Sequence, residues 1–358
     1  MMDLDGIPTP ALVVDLDKLE GNIGSMAARA ERLGVSLRPH IKTHKCTEIG
    51  HLQAEAGARG IAAATLGEAE AFADSGFDDI TWAVPLSLSR IPQALALAQR
   101  INLGVLVDSA QAVQGLAATG HPFKTWIKLD CGYGRAGIDP GGDAAERLAR
   151  MITNAGLRFA GMLSHSGDAY DHDTVEGRAA VAEEERRVQV EVAERMRGAG
   201  HEVPALSVGS TPSMTAVRNL AGVTEARPGN YAYFDLMQVR LGSCSVADCA
   251  LTVVSSVVSS RRDHAVLDAG ALALSQDPGL PPATMGAIYD DYEAATLRDD
   301  LQVVSLSQEH GKLSLSQPVG RRLRILPNHS CLTAACFPEC YAVRGQRVVD
   351  RWRVWNGR

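Results

Sequence analysis

The sequence predicts an α/β protein: a (β/α)8 TIM barrel followed by a C-terminal, mostly-β domain. Three observations predict it. Short apolar, β-branched runs alternate with longer segments of helical periodicity as far as about residue 240. Eight such runs occur, the strand number of that barrel. Beyond them helical periodicity fades, and alternating runs separated by short polar turns take over.

In chain order, ALVVDLD (11–17) reads as a strand ahead of the barrel, able to pair with the later β-rich part. KLEGNIGSMAARAERLG is the helix leading into the first barrel strand. The barrel strands are SLRPHI (36–41), GIAAAT (60–65), DITWAV (79–84), LGVLVD (103–108), TWIKLD (125–130), FAGMLSH (159–165), ALSVGS (205–210) and VTEARP (223–228). Between them run helical stretches such as EAEAFADSG and VEGRAAVAEEERRVQVEVAERMRGAG, with Gly34, Gly76, Gly156 and Gly200 as C-terminal stops. CALTVVSSVVSS, HAVLDAG, LQVVSLS, GKLSLS, RRLRILP, CYAVRG and QRVVDRWRVW are the later strands, with a helical stretch expected around 288–298. The expected domains are a barrel at 17–240 and a β-rich domain from 1–16 and 241–358. An open doubly wound sheet is the alternative to the barrel.

Composition narrows the function classes. The chain has 358 residues, 46% hydrophobic and 22% charged, enough to bury a large core. A net charge of −7 argues against nucleic acid as a partner. No apolar run approaches the roughly 20 residues of a membrane span. The acidic start, MMDLDGIPTPALVVDLD, lacks the basic and apolar pattern of a signal peptide. The seven cysteines, an odd number, suit reduced thiols in a cytoplasm. A cytoplasmic enzyme acting on a small molecule is therefore expected.

In such barrels the chemistry sits on the loops after the strands. The suggestive residues fall there: Arg38-Pro39-His40-Ile41-Lys42-Thr43-His44-Lys45 after the first, and Asp130-Cys131-Gly132-Tyr133-Gly134-Arg135 after the fifth. His165-Ser166-Gly167-Asp168-Ala169-Tyr170 follow the sixth, Gly209-Ser210-Thr211-Pro212-Ser213 the seventh, and Arg227-Pro228-Gly229-Asn230-Tyr231 the eighth. Loops seven and eight are the usual phosphate site of this fold. Gly209, Ser210 and Thr211 offer N–H groups and hydroxyls at a helix start, and Gly229 permits close backbone approach. Two ordinary turns with a helix cap are the plainer reading. A lysine opposite a phosphate site suggests a Schiff base with pyridoxal 5′-phosphate (PLP); Lys42 and Lys45 are both placed for it, or both are surface lysines.

These residues resemble a known family. TPALVVDLDKLEGNI, RPHIKTHK, ATLGEAEAFADSGFDDI, KLDCGYGRAG, SVGSTPS, EARPGNY, PNHSC and VVDRW are similar to motifs of the alanine-racemase-fold PLP enzymes, within them the D-threonine aldolase and D-serine dehydratase family. The resemblance runs from residue 8 to about 352. It implies that Lys42 carries PLP and that Arg135 bonds its phenolic oxygen. It implies that Thr211, Gly229 and Asn230 hold the phosphate with Ser210 close by, and that Tyr170 and Thr65 line the pocket. It implies that His329 and Cys331 bind a divalent metal, and that the protein is a homodimer whose β-rich domain helps close the partner's site. His-x-Cys on an extended segment would point both side chains to one face. Imidazole and thiolate suit Zn²⁺, with Mn²⁺ and Mg²⁺ as other divalent candidates. Cys336 and Cys340 could complete a closed His-Cys₃ site instead, and a core histidine beside a buried cysteine is a third reading.

The implied chemistry is that of a PLP- and metal-dependent lyase acting on β-hydroxy D-amino acids. Two outcomes compete: dehydration of D-serine or 3-hydroxyaspartate to a 2-oxo acid and ammonia, and retro-aldol cleavage to glycine and an aldehyde. The family commonly reads G-H-[AS]-Y after the sixth strand, and this chain has Asp168 in place of that histidine. A carboxylate titrating near ~4 is a poorer neutral-pH base than imidazole. Asp168 and His165 remain the candidate catalytic bases beside Lys42, with His172 a possible substitute, and dehydration is the expected reaction. A racemase, whose two-base chemistry needs no metal, and a non-catalytic PLP-binding protein, which would lack a β-domain, fit less well.

Overall fold

The computed structural model describes residues 3–280 and 284–357; the outermost expected domain limits, 1 and 358, lie outside them. The chain divides into two compact units. One comprises Met26–Lys42, Gly50–Gly229 and Gly357–Arg358; the other comprises Met1–Ser25, Thr43–Ile49 and Asn230–Asn356.

The first unit is a (β/α)8 barrel. Its strands are Ser36–Leu37, Ile61–Ala63, Asp79–Pro85, Asn102–Val107, Lys124–Lys128, Arg158–Leu163, Leu206–Val208 and Glu225–Ala226, numbered here first to eighth. All pair in parallel, in the order first, eighth, seventh and so on down to second. A parallel bridge between His40 and Ala62 joins the first strand's exit to the second strand and closes the ring. The first strand is shorter than the 36–41 read from the sequence. Pro39 has no N–H for the ladder, so regular pairing stops before it and resumes only at His40.

Alternation along the strands separates two environments. Val105, Ile127 and Met162 join the apolar layer beneath the helices, together with Phe72, Phe77 and Met196. Their neighbours Leu106, Trp126 and Leu163 form a separate small cluster inside the ring. Beyond that cluster the interior is polar. Arg38, 5% exposed, bonds Glu225 at 2.9 Å and Asp79 at 2.8 Å, and Lys124 bonds Asp79 at 2.9 Å. This chain of ion pairs ties the first, eighth, third and fifth strands together.

The second unit is a curled, nine-stranded sheet. Its order is Ala265–Leu267, Gly311–Leu313, Thr296–Leu306, Ala287–Asp291, Arg322–Leu326, Leu251–Ser260, Ala11–Asp15, Glu339–Arg344 and Arg347–Arg353. Leu251–Ser260 also pairs with Ala265–Leu267, closing an antiparallel barrel. Ala11–Asp15, buried throughout, pairs antiparallel with Leu251–Ser260 and parallel with Glu339–Arg344. The helix expected around 288–298 is instead strand, turn and strand. Tyr289 and Tyr292 are buried against each other there, and packing overrides the local helix preference of Glu293-Ala294-Ala295. No helix among the described residues is long and apolar enough to cross a membrane.

Gly161 in the sixth strand is required by its backbone. Its φ of +130° is one that L residues rarely adopt, and a Cβ would lie 2.0 Å from the carbonyl oxygen of Ala205. Gly161→Ala should lower stability by at least ~2 kcal/mol, read as a fall of several degrees in melting temperature.

Candidate active site

In the barrel unit the expected residues gather on the loops at the strand exits. Lys42 lies in the short 3₁₀ turn Ile41–Thr43, is exposed, and its ammonium has no hydrogen-bond or ion-pair partner among the described residues. Asp130 accepts from the N–H groups of Gly132 (3.1 Å) and Gly134 (3.0 Å), which shapes the loop carrying Arg135. The Arg135 guanidinium stacks over the Tyr133 ring at 4.8 Å. Tyr133 in turn meets His165 edge-on at 5.9 Å and presses on Gly167, where a Cβ would lie 2.4 Å from the ring.

Charge distinguishes this cluster. Burial disfavours a charge on His165, and the nearby cations Lys42, Lys128, Arg135 and Arg227 push its pKa further down, so the imidazole is neutral. Burial and Arg227 bring Lys128 down to about 8. Burial likewise brings Arg227 down to about 10, against the pull of Glu225 and Glu185. Its guanidinium donates to Ser207 Oγ and to the Ser164 carbonyl. Asp168 and Tyr170 lie in the 3₁₀ turn Gly167–Asp171, and burial raises the Asp168 carboxyl. A site with four cations around a neutral histidine fits an anionic cofactor and an anionic substrate.

Ser210 caps the helix Thr211–Ala216. Its hydroxyl donates to the Ser166 carbonyl at 3.1 Å and its N–H to Ser213 Oγ at 2.8 Å. Thr211, buried, opens the helix, and Gly229, also buried, follows the eighth strand. Thr65 caps the helix Leu66–Asp74 in a capping box with Glu68, and its hydroxyl donates to the Gly357 carbonyl.

The β-rich unit carries the other group. Asp235, fully buried, accepts from Asn230 Nδ2 (2.6 Å), Ser330 N (2.8 Å) and Gln238 N (2.9 Å). It thereby fixes Asn230 beside the His329 segment. Cys331 Sγ lies 3.2 Å from Thr43 Oγ1 and 3.8 Å from Asn230 Nδ2. Asn230 Oδ1 is buried without a hydrogen-bond partner among the described residues. His329 is not on an extended run as expected: it caps the short helix Ser330–Ala334, whose first turn holds Cys331. The two side chains are still close enough for Cys331 to act on the charge of His329. Burial opposes a charge on His329, yet Cys331 and Asp277 together raise its pKa to about 11.

Asp277, unsignalled in the sequence, contacts His329 Nδ1 at 2.8 Å. A carboxylate on one ring nitrogen leaves the other free for a metal, the usual support of a metal-binding histidine. The closed His-Cys₃ alternative is not formed. Cys336 bonds the carbonyls of Leu332 and Ala271, and Cys340 lies 4.0 Å from Cys46. Among the described residues no group of three or more His, Cys, Asp or Glu side chains is placed to hold a metal. Two protein donors leave open positions, which suits a catalytic ion.

Known proteins match this chain over nearly its whole length. Residues 14–237 match the alanine racemase N-terminal domain, and residues 250–343 a serine dehydratase domain. D-threo-3-hydroxyaspartate dehydratase of Delftia sp. (strain HT23) is 39% identical over 98% of each chain. Its solved structure superposes with a TM-score of 0.95, covering 100% of both chains at 37% identity. That enzyme is also known as a histidine-to-alanine variant and, in a metal-free form, as a cysteine-to-alanine variant, at positions two apart. D-serine dehydratase of Dictyostelium discoideum is 33% identical over 97% of this chain and 96% of its own. D-threonine aldolase of Arthrobacter sp. is 29% identical over 97% and 92%.

Asp277→Asn should weaken divalent-metal affinity roughly 10–100-fold, measured by competition with a chelator of known affinity.

Proposed function

This chain belongs to the alanine racemase-fold family of PLP-dependent lyases that includes the D-serine and D-threo-3-hydroxyaspartate dehydratases, and from that premise we propose that it dehydrates small β-hydroxy D-amino acids to a 2-oxo acid and ammonia. The observation that carries the proposal is the His329–Cys331 pair supported by Asp277. It has the residue types and spacing of the two positions replaced in the Delftia dehydratase variants, one of them metal-free.

The residues fit both groups that such chemistry uses. Lys42 would carry PLP, with Arg135 at its ring oxygen and Tyr170 and Thr65 beside it. Thr211, Gly229 and Asn230 would hold the phosphate, and Ser210 would support them as a helix cap. His329 and Cys331 would hold the metal, zinc by the preference of a thiolate and an imidazole. When bound, PLP supplies a sink for electrons from the substrate's Cα, and the metal supplies a Lewis acid at its β-hydroxyl.

The chain's own groups do the rest. Lys42, whose amine meets no partner among the described residues, takes the α-proton. The cations around His165 receive the substrate carboxylate. His165, held neutral, and Asp168, raised by burial, are the further proton-handling groups. A homodimer belongs to the same proposal, supported by exposed Leu272 and Leu332 on the β-rich unit. Retro-aldol cleavage is the second reading. It is favoured by one observation, that a neutral His165 could take a β-hydroxyl proton.

Purified holoenzyme given D-threo-3-hydroxyaspartate, D-serine and D-threonine should release 2-oxo acid and ammonia, and a chelator should abolish the release. Aldehyde and glycine without ammonia would overturn dehydration in favour of the second reading. Lys42→Ala should lose the visible cofactor absorption and reduce turnover by roughly 10²–10⁴-fold or more.

A further inference from the structure

We infer that Glu185 is a positioning residue that locks the loop after the seventh barrel strand to the loop carrying His165, and so shapes the phosphate cradle. The inference rests on the proposal that Gly209–Thr211 face the cofactor phosphate. Glu185 lies on the long helix Val175–Gly198, amid charged residues that read as a solvated face. Its neighbours behave that way: Arg186 pairs with Glu183, and Arg187 with Glu184 and Glu191, at the surface. Glu185 does not. It is only 2% exposed and points into the barrel unit.

Its two oxygens do two jobs. Oε1 accepts from Ser164 Oγ at 2.6 Å, and Oε2 accepts from the Gly209 N–H at 3.1 Å. Ser166 lies close enough to stabilise the carboxylate's charge, and its hydroxyl lies 3.4 Å from that of Ser210. Ser164 and Ser166 flank His165 in the chain, so the sixth-strand loop is held on both sides of the imidazole. The Ser210 hydroxyl adds a second tie by donating to the Ser166 carbonyl at 3.1 Å. Lys128 and Arg227 supply the opposite charge that makes a buried carboxylate tolerable.

An aliphatic side chain would fill this position at no desolvation cost, so the carboxylate is kept for its contacts. Only a carboxylate accepts with both terminal atoms. In Glu185→Gln only one terminal atom accepts, so the Ser164 hydroxyl must turn to accept from the amide, and the bond from the Gly209 N–H loses its charge assistance. The seventh-strand loop then shifts, and the phosphate contact is the part of cofactor recognition that depends on it.

The test compares PLP with pyridoxal, the same ring without the phosphate. Cofactor-stripped full-length protein is titrated with each, and binding is followed by absorbance. Wild type should bind PLP far more tightly than pyridoxal. Glu185→Gln should cut that ratio by about 10-fold or more, the factor of one lost charge-assisted hydrogen bond, while pyridoxal affinity and melting temperature stay close to wild type. An unchanged ratio, or equal weakening of both ligands, would overturn the positioning role. A wild-type ratio near one would remove the phosphate reading and this inference with it, whereas a high ratio retained by the variant removes the inference alone. Should Glu185→Gln not fold, Glu185→Asp keeps the charge but is one methylene short of reaching both loops. Its ratio should fall too, and an unchanged ratio overturns the role.

Discussion

Everything at the barrel's catalytic face depends on how its interior handles positive charge. Arg38, Lys128 and Arg227 are buried there, and a buried cation is tolerated only with partners. Arg38 is matched by Glu225 and Asp79 near the strand starts. Toward the strand exits Lys128 and Arg227 share Glu185, while Lys42 and Arg135 have no carboxylate in ion-pair contact among the described residues. The positive surplus therefore sits where the loops are. Together with burial it keeps His165 neutral, and it makes the face receptive to phosphate and carboxylate groups before any particular ligand is considered.

The His329–Cys331 pair of the β-rich unit, proposed to hold the metal, obeys the opposite logic. His329 and Cys331 stand beside two carboxylates, Asp277 and Asp235. Asp235 is spent on N–H and O–H donors that hold Asn230 and Ser330, while Asp277 serves His329 directly. One unit is thus built to attract anions and the other to retain a cation. A lyase that combines an anionic cofactor with a Lewis acid needs both.

Most of the barrel was legible because strand and helix periods alternate cleanly through it. The strand-exit loops were legible because residues such as Lys42, Arg135 and Thr211 stand within specific motifs that follow the strands. What was not legible was set by burial and long-range contact. Glu185 sits in EEERR, a string that reads as solvent-facing, and only the three-dimensional packing singles it out. Asp277 lies far upstream of His329, in a loop with no motif of its own. The segment 288–298 has helix-favouring residues, but its tyrosines are claimed by the sheet core. The conformation of His329 was missed because a short helix begins inside PNHSC, a string too brief to carry a period.

The strand Ala11–Asp15 has a consequence for biosynthesis. It is fully apolar up to its last residue, and its partners, Leu251–Ser260 and Glu339–Arg344, lie far downstream in the sequence. At about 5–20 residues per second, the ribosome leaves this strand without its sheet for roughly tens of seconds, while the barrel residues emerge behind it. An unpaired apolar strand is a ready template for pairing with another chain. The β-rich unit therefore cannot mature domain by domain from the N-terminus. Its folding waits until Glu339–Arg344 has been made, and Ala11–Asp15 is where a chaperone would have most to protect.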